Sequence, residues 1–94
     1  MRAQTCPERD RLSVDAQAIW DRHVAERGLP QTAPRRDALA VYCAHLAQIE
    51  DLQGRIAREG TIVASDKGTP VEHPACRVLE RALGVLPKLA AALR

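Results

Sequence analysis

The apolar positions of the chain fall into three helical runs and one β-like segment. In the first run Ala16, Ile19, Trp20, His23 and Val24 recur at spacings of three and four, which places them on one helical face. Ser13 precedes the run as an N-cap, and Gly28 followed by Pro30 closes it in the usual C-terminal order. The second run follows "LPQTAP", where Thr32 can cap and Pro34 occupies a first turn that has no need of its N–H. From about Arg35 to Glu59 only Gly54 interrupts, and Leu39, Tyr42, Leu46, Ile49, Gln53 and Ile56 step alternately by three and four. That is the spacing of a heptad seam, on a helix about 36 Å long at the standard rise. So long a helix outruns the core of a short chain, and the seam predicts both a partner helix and a neighbouring subunit. Gln53 is polar within the seam, either as a device that fixes register or oligomeric state or as a solvated helix end.

Gly60 closes the long helix, and Thr61, Ile62 and Val63 form a β-branched run of the kind that strands prefer. "SDKG" is a turn signal with Gly68 free to take positive φ, and "TPVE" returns as a short strand in which Pro70 is tolerated at an edge. His73 and Pro74 open a last helix, where Cys76, Leu79, Leu83, Leu86, Ala90 and Leu93 repeat the heptad steps. Gly84 and Pro87 fall inside that pattern. A mid-helix proline costs about 3 kcal/mol, so a stop at Gly84 and a restart at Pro87 are expected in preference to a continuous kinked helix. Two helices with matching seams, joined by a ribbon, pack antiparallel. The predicted fold is therefore all-α: a helical hairpin of two long antiparallel helices, an N-terminal helix and a small β-hairpin connector. Residues 1–12 are polar and contain Pro7, and are expected to form a disordered arm. The 94 residues suffice for one domain over 1–94.

Composition thins the expected core. Hydrophobic residues make up 46% of the chain, but aromatics only 2%, and Phe is absent. A core of Ala, Leu, Val and Ile in so short a chain gains from oligomerisation. The net charge of +2, from 14 basic and 12 acidic residues, does not by itself mark a nucleic-acid binder. The basic residues are nearly all Arg, which suits phosphate and bidentate contacts, although Arg and Ala enrichment also reflects a GC-rich genome. No run is long enough to cross a bilayer and the N-terminus has no apolar signal core, which predicts a soluble intracellular protein. Cys6, Cys43 and Cys76 contain no CxxC pair, so neither a disulfide framework nor a structural zinc motif is indicated.

Catalytic constellations do not emerge. His23, His45 and His73 fall on different elements without HxxxH or HExxH spacing. Cys43, His45, His73 and Cys76 are the sharpest candidate metal set, but Cys43 lies about 18 Å along the helix from the hairpin, and small buried thiols account better for the cysteines. Glu50 and Asp51 are adjacent on a helix and point about 100° apart, so they cannot bracket one substrate. GxxxxGK[ST] and GxSxG stretches are absent. The chain reads as non-enzymatic, with no cofactor and no metal. Trp20 fits core packing better than base stacking. Arg35 and Arg36 stand at the positive end of the long helix, a placement that either phosphate contact or simple solubility explains.

The order of these signals resembles a known family. A Trp-bearing helix ("LSVDAQAIW"), "DALAVYCAHL", a helix ending in Glu-Gly, the ribbon "TIVASDKGTPVE", "HPAC" and "LGVLP" are similar to the small subunit of tailed-phage terminases, over roughly Leu12 to Pro87. The resemblance implies a non-catalytic, ring-forming homo-oligomer that binds double-stranded DNA. Such a subunit presents DNA to the terminase large subunit, which holds the ATPase and nuclease, for packaging into capsids. The setting it implies is the cytoplasm of a bacterial host carrying a phage, a prophage or a gene transfer agent. Phosphate contacts would fall to Arg35, Arg36, Lys67, Arg77 and Arg81, and oligomer contacts to Leu39, Tyr42, Leu46, Ile49, Gln53, Ile56, Leu79 and Leu83. Two departures stand out. His73 occupies the position where the family usually has Asn, a better N-cap by about 1 kcal/mol, so His73→Asn is expected to stabilise the last helix. The segment from Pro74 to "LGVLP" is also shorter than in the family. Two rival readings remain: a free-standing DNA-binding regulator of helix-turn-helix type, which predicts a dimer on a short palindrome, and a structural helical adaptor without nucleic-acid binding.

Overall fold

The computed structural model describes residues 6–65 and 67–93. Its elements are α1 (Pro7–Asp10), α2 (Val14–Arg27), α3 (Ala33–Glu59), β1 (Ile62–Ala64), β2 (Pro70–Glu72) and α4 (Pro74–Ala91). The fold is mostly helical with one two-stranded antiparallel sheet. Ser13 Oγ accepts the Ala16 N–H at 3.2 Å to start α2, and Thr32 Oγ1 accepts the Arg35 N–H at 3.4 Å to start α3, with Pro34 in its first turn. Gly60 ends α3 at φ 85°, where its N–H donates to the Ile56 carbonyl at 2.7 Å. A side chain is strained at that φ, so glycine is the residue that lets the chain leave the helix towards β1.

The core has two layers that share α3. Ala16, Ile19 and Trp20 of α2 pack with Leu39 and Cys43 from the first half of α3. The other half packs with α4, and the buried residues there are Ile49, Leu52, Ala75 and Ala82. At 100° per residue, Leu52 lies about 140° around the helix from Leu39. The long helix therefore buries two stripes on different sides, where the sequence suggests one heptad seam. The predicted seam runs between them: Tyr42, Leu46 and Ile56 are half-buried, and Gln53 is exposed on neither stripe. Cys43 and Leu52, which the seam leaves out, are buried.

In α4 the expected break at Gly84 does not occur, and the helix runs unbroken through Pro87. Proline removes the bond to the carbonyl four residues back, here that of Leu83. Leu83 and Pro87 are both exposed. On the inner face His45 of α3 holds the adjacent turn, its Nε2–H donating to the Ala82 carbonyl at 2.7 Å. The inward line is Ala75, Leu79, Ala82 and Leu86, whereas Leu83 is 43% exposed. Leu93, beyond the end of α4, packs against the α2–α3 cluster, so this last segment returns along most of α3. The result is long and narrow, 58 × 27 × 19 Å with a radius of gyration of 16.6 Å, against about 12 Å for a compact chain of this length.

Residues 1–5 of the expected arm lie outside the described residues, but the rest of it is ordered. Pro7 occupies the first turn of α1, and Arg9 forms a two-bond fork with Asp21 of α2, Nε to Oδ1 at 2.8 Å and Nη2 to Oδ2 at 2.7 Å. The Gln17 amide donates to the Arg9 carbonyl, and Cys6 and Leu12 rest on the core. Polarity alone suggested a loose segment; a bidentate ion pair and two apolar anchors hold it. The Arg9 hydrogen bonds lower the Asp21 pKa below the ordinary value. Glu8 is also lowered, first by its own backbone N–H and then by the Cys6 thiol, with Arg36 adding to the effect.

The hairpin pairs Ile62 with Glu72, Val63 with Val71 and Ala64 with Pro70. Gly68 takes φ 80° in the turn, as "SDKG" predicts, and donates to the Ser65 carbonyl at 2.8 Å. His73 then joins three elements. Its backbone N–H donates to the Thr61 carbonyl at 2.7 Å, its Nδ1 accepts the Ala75 N–H at 3.0 Å, and its Nε2 lies 3.4 Å from Glu59 Oε2 at the end of α3. With Nδ1 accepting, Nε2 carries the proton and faces the carboxylate. His73 is thus a working N-cap, contrary to its poor ranking, because the ring is buried and fixed from its far side.

Two outcomes follow from these contacts. His73→Ala should lower the melting temperature by about 4–8 °C, the effect of about 1 kcal/mol in a chain of this size. His73→Asn, which keeps a cap acceptor but cannot reach Glu59, should also melt below the parent; a melt at or above it would remove the role given to Glu59. The second outcome concerns pH. The folded-state pKa values of Glu8 and Asp21 are depressed, so their contribution is complete above the unfolded carboxylate value and is lost as pH falls through the folded one. The docking of α1 should hold at neutral pH and weaken below about pH 5, read by NMR as both carboxyls titrating below ordinary Glu and Asp; ordinary titration would show α1 undocked.

Candidate nucleic-acid interface

The five basic side chains picked out by sequence do not form one surface. Arg35 and Arg36 lie at the start of α3, which at 27 residues is about 40 Å long, whereas Lys67 is in the hairpin turn beyond its other end. Arg36 is engaged within the chain: Nε contacts Glu8 Oε1 at 3.4 Å and Nη1 donates to the Pro30 carbonyl at 3.1 Å. It fixes α1 and the α2–α3 loop to α3 and has little left to offer a phosphate. Arg35, one residue on, is exposed.

Arg77 and Arg81 do come together. They are exposed on successive turns of α4, and Lys88 continues their line. At 100° per residue the three fall within about 40° of one another, on a strip about 17 Å long. Among the described residues none of the three is in an ion pair, although Glu72 and Glu80 border the shallow recess beside Arg77 and Arg81. Lys88 is absent from the sequence-based set. The spacing of eleven from Arg77, three full turns, was the available signal.

The remaining reactive side chains are occupied structurally. Cys43 is buried under α2, and burial pushes its thiol pKa up to about 11, so the thiol is protonated and weakly nucleophilic at neutral pH. His45 and His73 serve backbone groups and Glu59 as described. Cys43, His45, His73 and Cys76 are not brought together: among the described residues no three His, Cys, Asp or Glu side chains cluster as a metal site. Of the proposed oligomer contacts, Leu39 and Ile49 are buried within the chain, Tyr42, Leu46, Ile56 and Leu79 are half-buried, and Gln53 and Leu83 are on the surface. The larger exposed apolar side chains include Ile62 and Val71 on the hairpin and Val78, Leu83 and Val85 on α4. No helix among the described residues is long and apolar enough to cross a membrane.

A mostly helical chain with a β-hairpin between its two longest helices and a basic strip on the second is the class these features define. Residues 16–94 match the family model for the phage terminase, small subunit, and the chain belongs to that family. Its role accordingly lies in phage DNA packaging, in a subunit type that is generally non-catalytic. Comparison with curated proteins and with solved structures gave no match.

The division between Arg35 and Arg36 can be checked directly. Arg36→Ala should lower the melting temperature and expose the segment around α1 to proteolysis, while Arg35→Ala should leave stability within about 0.5 kcal/mol of the parent. Equal melting temperatures for the two variants would show that Arg36 is not a structural tie.

Proposed function

We propose that the protein is the DNA-binding, regulatory component of a phage-type packaging terminase, a single domain that assembles into a homo-oligomeric ring and presents double-stranded DNA to the large subunit. Family membership supports the packaging role. The observation that carries DNA contact is the strip of Arg77, Arg81 and Lys88, aligned on one outer face of α4 and free of ion pairs among the described residues. Arginine and lysine in a line read the phosphate backbone and carry no base code, so binding is strong at low salt and indifferent to sequence. Lys67 in the hairpin turn is a secondary contact. A phage, a prophage or a gene transfer agent in a bacterial cytoplasm all suit such a protein.

Assembly is supported by the thinness of the core. Among the described residues nine hydrophobic side chains are buried, and apolar side chains of α4 and the hairpin remain open. Leu83, together with Val78, Val85, Ile62 and Val71, offers the surface for neighbouring copies that the buried Leu39 and Ile49 cannot.

Fluorescence anisotropy with a random duplex tests DNA contact, with mass measured by light scattering in the same samples. The expected result is an oligomer whose log affinity falls with log salt at a slope of about −2.7 or steeper, for three or more phosphate contacts. Arg77→Glu with Arg81→Glu and Lys88→Glu should abolish that binding without lowering the melting temperature. A strict monomer would sink the ring, and salt-independent or unchanged binding in the triple variant would sink the α4 interface.

A further inference from the structure

The corner between α2 and α3 holds a second basic feature at the opposite end of α3 from the hairpin. A groove of about 870 Å³ opens there, within the roughly 300–1,000 Å³ typical of ligand clefts. Arg27 at the end of α2 and Arg35 at the start of α3 line it, together with His23, and Leu29, Pro30 and Leu93 supply its apolar surface. The His23 ring lies 6.5 Å from the Tyr42 ring across the helix pair.

Three properties of this groove bear on its ligand. None of its described lining residues is acidic, whereas the recess beside Arg77 includes Glu72 and Glu80, and another beside α1 includes Glu8 and Asp37. Arg27 and Arg35 take part in no ion pair among the described residues, so their charge is uncompensated in a chain that is otherwise nearly balanced. The groove is concave and partly apolar. A duplex backbone offers nothing apolar to cover Leu29, Pro30 and Leu93, while the outer face of α4 suits phosphates without such a mismatch. The complement to guanidinium groups beside an apolar surface is a carboxylate beside an aliphatic or aromatic side chain.

We propose that this groove docks a short acidic segment of a protein partner, with a bulky apolar side chain on Leu29, Pro30 and Leu93 and flanking carboxylates on Arg27 and Arg35. The docking is independent of DNA contact through α4, and each can fail without the other. It would bring a partner protein to one end of α3 while the strip on α4 holds nucleic acid.

The test uses the full chain and a fluorescent peptide of about ten residues in which Asp and Glu alternate with Leu and Phe, with a copy carrying Ser at the apolar positions. Saturable binding is expected for the first peptide, with affinity reduced about tenfold or more for the Ser copy and for the Arg27→Glu, Arg35→Glu double variant. Leu29→Asp should weaken binding similarly, and Arg77→Glu with Arg81→Glu should leave it unchanged. Arg27, Leu29 and Arg35 are surface residues, and melting curves verify that these variants are folded. Equal binding of the Ser copy would reduce the groove to general electrostatics, and no binding of either peptide would overturn the proposal. So would loss of duplex affinity, in place of peptide affinity, in the Arg27→Glu, Arg35→Glu variant.

Discussion

The fold depends on one helix being buried twice. Leu39 and Cys43 face α2, Ile49 and Leu52 lie in the layer with α4, and the two stripes are far apart around the axis of α3. A helix used this way cannot be the edge of a globule; it is the wall on which both neighbours lean. The elongated shape follows, because α2 covers only the first half of α3 and the hairpin turns α4 back from its far end. Few side chains then have neighbours on all sides, and two fully enclosed ones, Leu39 and Cys43, lie where α2 and α3 meet.

With apolar burial so limited, polar contacts position the remaining parts. Arg9, Asp21, Glu8 and Arg36 attach α1. His73 ties the hairpin, α4 and the end of α3, and His45 reaches the Ala82 carbonyl beside the turn that Pro87 weakens. The exposed ion pairs among these contribute modestly to stability, whereas the histidine contacts are partly enclosed and geometrically specific. Their effect is to fix where the elements sit more than to drive folding. The placement of α4 is the consequence that bears on function, since the same helix turns Ala75 and Ala82 inward and Arg77, Arg81 and Lys88 outward.

Much of this was legible in the residues. Ser13, Thr32, Gly28, Gly60 and Gly68 each mark a cap or turn through local backbone chemistry, and local chemistry survives folding unchanged. The readings that differ all required knowledge of a distant neighbour. Leu39 to Ile56 fit a single seam because a spacing of 3.5 drifts slowly from one stripe to the other, and nothing in the spacing says that α2 and α4 approach from different sides. Pro87 stays within the helix at an exposed position, beside a turn that His45 holds through the Ala82 carbonyl. His73 caps because Glu59, fourteen positions earlier, meets the other side of its ring. Of the line on α4, the sequence reading names Arg77 and Arg81 and leaves out Lys88, whose alignment with them depends on the helix continuing through Gly84. The contacts of Arg36 were hidden for the same reason as those of His73: its partners, Glu8 and the Pro30 carbonyl, are brought to it by the fold.

The position of the free charges then constrains how a packaging subunit of this size can work. Arg27 and Arg35 lie at the α2–α3 corner, while Arg77 and Arg81 lie on the early turns of α4, towards the hairpin end of a helix about 40 Å long. Charges that far apart are screened from one another at physiological salt, where the Debye length is about 8 Å. Neutralising Arg77 and Arg81 therefore leaves the potential at the corner nearly unchanged, whereas Lys88 stands only five residues before Leu93. A ligand on the early turns of α4 and a ligand at the corner would not compete electrostatically, and coupling between them must pass mechanically through α3 or α4. The route that the packing provides is Leu93, which lines the corner groove just beyond the end of the helix that carries the basic strip. Displacement of α4 would be felt at the groove through that residue, and the turn before Pro87, which lacks one backbone hydrogen bond, is where the helix can yield.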